Sequence, residues 1–106
     1  MDDEASEPAY LSMICGDEFV AIVRGSFDGH LAPVVHADLS AALDLGVDRI
    51  VIDLCHASLV DEGAMAVLAA ATGVVSSRGG KLFVALEPER VVEISDASLV
   101  RAVFDR

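Results

Sequence analysis

Residues 49–77 read RIVIDLCHASLVDEGAMAVLAAATGVVSS, and the architecture follows from how that stretch divides. Ile50, Val51, Ile52 and Leu54 form a short, nearly continuous apolar run, the pattern of a strand covered on both faces. CHASLV, small and polar, reads as a loop. Asp61 then stands just ahead of a long Ala-rich run, where its carboxylate can accept a hydrogen bond from a backbone N–H of the first helical turn. Glu62 adds a second negative charge at the positive end of the helix dipole, a stabilisation of about 0.3–1 kcal/mol. The stretch is therefore strand, loop, helix, with the helix N-terminus displayed at the end of a buried strand. Open α/β sheets place functional sites there.

Working outward, residues 10–15 and 18–24 are apolar segments separated by Gly16-Asp17, a pairing that predicts a β-hairpin with a type II′ turn. GSFDG (25–29) reads as a loop. Leu31, Val34, Val35, Leu39, Ala42 and Leu43 then recur at helical spacing, with Pro33 in the first turn and Gly46 as the stop. Gly79-Gly80 ends the central helix behind Arg78, and KLFVAL (81–86) is a further buried strand. Glu87-Pro88 is expected to open a short helix reaching Ile94. Residues 99–104 (LVRAVF) are expected to form a last strand, the same residues also fitting a helical turn and its neighbours. The predicted order is β-β-α-β-α-β-α-β, an α/β fold with a mixed sheet, largely parallel after the hairpin, and helices packed on it.

The chain has 106 residues, room for one domain with a single core, and 54% of them are hydrophobic while only 5% are aromatic. Residues 1–8 (MDDEASEP) are acidic and read as a disordered tail, leaving 9–106 as the domain. A formal charge of −11 argues against nucleic acid and against anionic membrane surfaces. Partners are expected to be basic or apolar proteins. No apolar run is long enough for a membrane span and no signal-peptide pattern opens the chain, so a cytoplasmic location is expected, without membrane insertion. Cys15 and Cys55 lack CxxC spacing and read as buried reduced thiols.

Chemistry-bearing constellations are sparse. His30, His36 and His56 do not pair at metal-ligand spacing, so no metal or other cofactor is expected. Cys55 and His56 are sequence neighbours, and adjacent strand residues point to opposite faces, which does not make a nucleophile–base pair. Asp53, Asp61 and Glu62 are candidates for converging carboxylates, but capping accounts for Asp61 more simply. The chain is read as no enzyme. Its most informative feature is the helix itself. From Ala64 to Ala71 no polar face appears for over two turns, and a helix apolar all round needs cover beyond what one small domain supplies. Its exposed side is a candidate docking patch. The opposing reading is that Ala is simply a good helix former tolerated at a surface.

These residues resemble a STAS domain, the fold of bacterial anti-sigma factor antagonists. VIDL, HASLV and DEGAMAVLAAA stand in the order and spacing of the family's buried strand, loop, Asp-Ser-Ser-Gly or Asp-Ser-Thr-Gly motif and apolar helix. Gly25-Ser26-Phe27-Asp28 is similar to its Gly-x-x-Asp element, and SSRGGKLFVAL to its helix stop and next strand. The resemblance implies a regulatory binding module whose partner is an anti-sigma factor of the serine-kinase type. In that family, phosphorylation of the second Ser of the motif breaks the complex.

This chain departs from the family pattern at the switch. Aligned on Asp61, the first Ser becomes Glu62, the acceptor becomes Gly63, which has no hydroxyl, and the following Gly becomes Ala64. Phosphorylation is therefore not expected at Gly63; Ser58, in the preceding loop, is the one displaced candidate. Two consequences compete: Glu62 is a fixed mimic of the phosphorylated state, or the domain is a permanently available antagonist. The expected partner-binding residues are Asp28, Asp61, Glu62, Gly63, Met65, Ala66, Ala69 and Ala70, with Asp28 and Asp61 ordering their loops. An alternative is an accessory subunit of an ABC-type lipid transporter; a nucleotide-binding STAS scaffold ranks below it, lacking a basic residue at the loop. Homodimerisation is left open.

Overall fold

The computed structural model describes residues 9–104; the acidic segment expected to be a tail lies outside them. The elements are β1 (Tyr10–Cys15), β2 (Glu18–Phe27), α1 (Ala32–Asp44), β3 (Arg49–Val60), α2 (Glu62–Ser77), β4 (Lys81–Glu87), β5 (Arg90–Glu93) and α3 (Ser98–Phe104). The sheet is ordered β1-β2-β3-β4-β5. β3 pairs in parallel with β2 on one side and β4 on the other, and the two edge strands run antiparallel to their neighbours. This is the mixed α/β fold expected from the sequence. Among the described residues, no helix is long and apolar enough to cross a membrane.

The hairpin is as read: Gly16 takes φ 64°, which the first central position of a primed turn demands. Both long helices end in the same way. Val47 N–H reaches Ala42 O at 3.1 Å and Gly46 N–H reaches Leu43 O at 3.0 Å, while Gly80 and Gly79 do the same to Val75 and Ser76, both at 3.0 Å. These are Schellman closures, with Gly46 and Gly79 left-handed. Gly80 is needed for another reason: a Cβ there would lie 2.7 Å from the Asp48 carbonyl oxygen.

The core is one layer deep between sheet and helices. Phe19, Ala21 and Val23 of β2, Ile50, Ile52 and Leu54 of β3, and Leu82 and Val84 of β4 are buried. Val35, Leu39 and Ala42 of α1, Ala64, Leu68, Ala71 and Val75 of α2, and Val100 of α3 pack over them. Thr72, also buried, returns its hydroxyl to Leu68 O at 2.9 Å. Tyr10, on the hairpin's outer strand, donates to Asp38 Oδ2 of α1 at 2.7 Å. Burial first, and that bond second, push the phenol well above its ordinary range.

Several expectations are corrected. β3 is covered on one face only: Val51 and Asp53 are half-buried on the side away from the helices. The alternation was hidden because Val51 is apolar although its face is uncovered. CHASLV is strand rather than loop; β3 carries on to Val60, pairing with β2 through two register shifts, and GSFDG is likewise strand as far as Phe27. The helix expected from Glu87 is instead a turn at Pro88-Glu89 and the strand β5, whose β-branched Val91 and Val92 pair with Ala85 and Val84. The strand expected over 99–104 is α3, nucleated by Asp96, which accepts from Ser98 N–H at 3.0 Å. Its core contacts, Val100, Val103 and Phe104, have helical spacing. The last two elements are thus exchanged in type. Cys15 is exposed and Cys55 only half-buried.

Two glycines give opposite outcomes. Gly80→Ala must displace backbone at Asp48 and is expected to cost about 1–3 kcal/mol. Gly73, exposed in mid-helix with open space around it, is expected to gain roughly 0.5–1 kcal/mol as Ala. Urea denaturation of each variant measures both.

Candidate functional site

The parallel strands β2 and β3 end side by side, and their C-terminal loops meet. Asp61 N–H donates to Phe27 O at 3.2 Å, locking the two ends together. Asp28 folds back so that its Oδ1 accepts from the N–H groups of His30 and Leu31, each at 3.0 Å. Leu31, the N-cap of α1, supplies no side-chain bond of its own, so Asp28 performs that task from upstream. The Leu31 and His30 amides hold its carboxyl below the usual carboxylate range. Asp61 caps α2 as expected, accepting from Ala64 N–H at 2.9 Å.

Glu62 and Gly63 are both exposed in the first turn of α2. Gly63 faces the loop after β2: a Cβ added to it would sit 3.1 Å from the Gly29 Cα. Glu62 points the other way, toward α3, where Arg101 Nη1 donates to its Oε2 at 3.0 Å and Nη2 to its Oε1. This bidentate pair lowers the Glu62 pKa from its ordinary value. Arg101 is the residue sequence reasoning missed. The signal was the helical spacing around it, obscured by reading the segment as a strand.

Further along α2, Ala66 and Ala70 are exposed and share an outward line with Gly73. Met65 and Ala69 are half-buried and pack against the core. The expected residues therefore divide. Asp28, Asp61, Glu62 and Gly63 converge at the sheet's end, Ala66 and Ala70 extend from them as an uncharged strip, and Met65 and Ala69 offer only their edges. Ser58 is exposed at the second irregularity of β3, in a strand and not in a loop.

The carboxylates do not assemble into a reactive pair. Asp53 accepts from Cys55 N–H at 3.0 Å, Asp61 is spent on its cap and Glu62 on Arg101. Burial, then the neighbouring Asp53, push the Cys55 thiol up to about 11, the opposite of an activated nucleophile. No cluster of three or more His, Cys, Asp or Glu residues capable of holding a metal ion occurs among the described residues.

A scan against protein-family models finds no match for this sequence. A search of curated proteins finds none either. Solved structures do share the fold. The anti-sigma factor antagonist SpoIIAA in its unphosphorylated form superposes with a TM-score of 0.64 at 19% identity, over 72% of this chain and 71% of that one. The phosphorylated form of the Bacillus cell-fate determinant SpoIIAA is similar to nearly the same degree, with a TM-score of 0.61 at 18% identity over 70% and 68% of the two chains. Mglu gives a TM-score of 0.64 at 22% identity over 77% of this chain, which spans only 20% of Mglu. The chain thus has a SpoIIAA-like, STAS-type fold.

Two measurements check the site's geometry. Asp61→Ala is expected to lower stability by about 1 kcal/mol, read by urea unfolding, through loss of the α2 cap. Iodoacetamide at pH 7.5 is expected to alkylate Cys15 well before Cys55, followed by intact and peptide mass spectrometry.

Proposed function

We propose that this chain is a non-enzymatic regulatory binding module of the anti-sigma factor antagonist kind, without the phosphoserine switch, that docks through the N-terminus and exposed strip of α2. The observation that carries this reading is the composition of the α2 entrance: an uncharged strip of Ala66 and Ala70 that begins at Glu62 and Gly63, beside the ordered Asp28 loop. A surface without long side chains lets a partner's helix or loop approach the backbone closely and loses little side-chain entropy on docking. The shared fold with SpoIIAA supports the partner class, an anti-sigma factor of the serine-kinase type.

Between the two consequences of losing the acceptor, the pairing of Glu62 favours the permanently available antagonist. A phosphoryl group carries roughly two negative charges, whereas Glu62 carries one and has a guanidinium against it. The net charge of the pair is close to nil, a poor mimic of phosphoserine. Asp61 already occupies the Ala64 amide of the first turn, one of the groups a phosphate would use, which weighs against a nucleotide site.

The test is binding to a purified anti-sigma kinase in the presence of ATP and Mg2+. The complex is expected to persist, with no phosphate on the chain by mass spectrometry, and Ala66→Glu is expected to weaken it at least tenfold. Absence of binding, together with capture of a transporter ATPase, would favour the accessory-subunit alternative. Loss of the complex on ATP addition, with phosphate found at Ser58, would restore a displaced switch.

The ion pair has its own pH signature. Because the folded-state pKa of Glu62 is lowered, its contribution is present above the ordinary glutamate range and fades as pH falls through the folded value. Carboxyl-detected NMR titration is expected to show Glu62 titrating below a model glutamate, and Arg101→Ala is expected to return it to the ordinary range.

A further inference from the structure

The side of the sheet turned away from the helices is apolar across its whole width. By register, Met13, Val20, Val51, Phe83 and Glu93 form one row across the five strands, and Leu11, Ile22, Asp53, Ala85 and Val91 form the next. Eight of these ten residues are apolar. Leu11 is 42% exposed, Met13 40% and Val91 54%, and beyond the two register shifts Leu59, 54% exposed and opposite Ser26, lies on the same side. None of the three helices reaches this face, since their contacts fall on the alternate residues.

Its charge sets it apart from the rest of the molecule. Below the apolar rows lie Glu18, Arg49 and Lys81, and above them Arg24 and His56. Counting Asp53 and Glu93, the face has three basic and three acidic side chains, net zero, in a chain of formal charge −11. Arg49 is already held, by Glu18 at 3.0 Å and over the Phe83 ring at 4.2 Å. A basic partner would be drawn to the acidic remainder of the surface and not to this neutral face. A second neutral face of the same kind can meet it without adding net charge to the contact.

We infer that this sheet face is the interface between two copies of the chain, packed sheet on sheet about a two-fold axis that crosses the strands between the two apolar rows. That axis sets Met13 over the second copy's Leu11, Val20 over its Ile22, the large Phe83 over its small Ala85, Val51 over its Asp53 and Glu93 over its Val91. It also sets Glu18 over the second copy's Arg24, while Arg49 falls opposite His56. Five strands about 4.8 Å apart and four side-chain rows about 7 Å apart make a face of roughly 480 Å2. Two such faces together bury about 1,000 Å2, the lower bound for a specific contact, so the dimer is a weak, concentration-dependent one. The surface is separate from the α2 strip, so the two readings stand or fall independently.

Sedimentation equilibrium of the full chain from about 5 µM to 1 mM tests it. The weight-average mass is expected to rise from monomer toward twice that value, with the midpoint inside that concentration range, the behaviour of a small, weak interface. Leu11→Lys and Val91→Lys are each expected to weaken association at least tenfold with unchanged circular dichroism. Ala66→Lys makes the same change in charge on the helix side and is expected to leave the midpoint within twofold. Raising NaCl from about 0.05 to 0.5 M is expected to tighten the dimer, because salt screens the mutual repulsion of two acidic chains while an apolar contact is not weakened. A chain that stays monomeric to 1 mM overturns the inference. So does a dimer that Ala66→Lys breaks while Leu11→Lys and Val91→Lys leave it intact, or one that salt dissociates.

Discussion

The structure rests on the helix-side half of β3. Ile50, Ile52 and Leu54 are hydrogen-bonded into the middle of the sheet and capped by Leu68, Ala71 and Val75 of α2. A parallel strand cannot return to its neighbour without a crossover, and here each crossover is a helix that lands on the same face. Both helices are therefore forced onto one layer and both start from the same end of the sheet. The meeting of the Asp28 and Asp61 loops, and everything at the candidate site, follows from that one-sided winding.

Much of this was readable from residues 10–86. Gly16-Asp17, Pro33, Gly46, Asp61 and Gly79-Gly80 each specify a local backbone geometry, and each is used as its chemistry demands. The reading failed where local signals were ambiguous. Pro88 suits a helix's first turn as well as a tight turn, and only the pairing of Val91 and Val92 with β4 decides between them. LVRAVF is short enough to pass for a strand until Val100 has a core to enter. Val51 and Phe83 are apolar yet face away from the helices, so composition alone gave β3 two covered faces where it has one.

At the site, sequence named the residues at the two loops but not what they do to one another. Asp28 and Asp61 were legible because capping is a local event. The clasp of Arg101 on Glu62 joins residues 39 positions apart and depends on where α3 lands, which no local pattern encodes. It is this contact that changes the meaning of Glu62, from an exposed charge at a helix start to one half of a neutral pair. An exposed pair of this kind adds little to stability, so its interest lies in the surface it presents rather than in the energy it stores.

The approach of Gly63 to Gly29 has a consequence for how such a domain can change over time. With no side chain at position 63, the loop after β2 comes to within 3.1 Å of the place a first side-chain carbon would take. Placing a hydroxyl-bearing side chain there takes more than a codon change, because the loop has to retreat by a few tenths of an ångström to admit it.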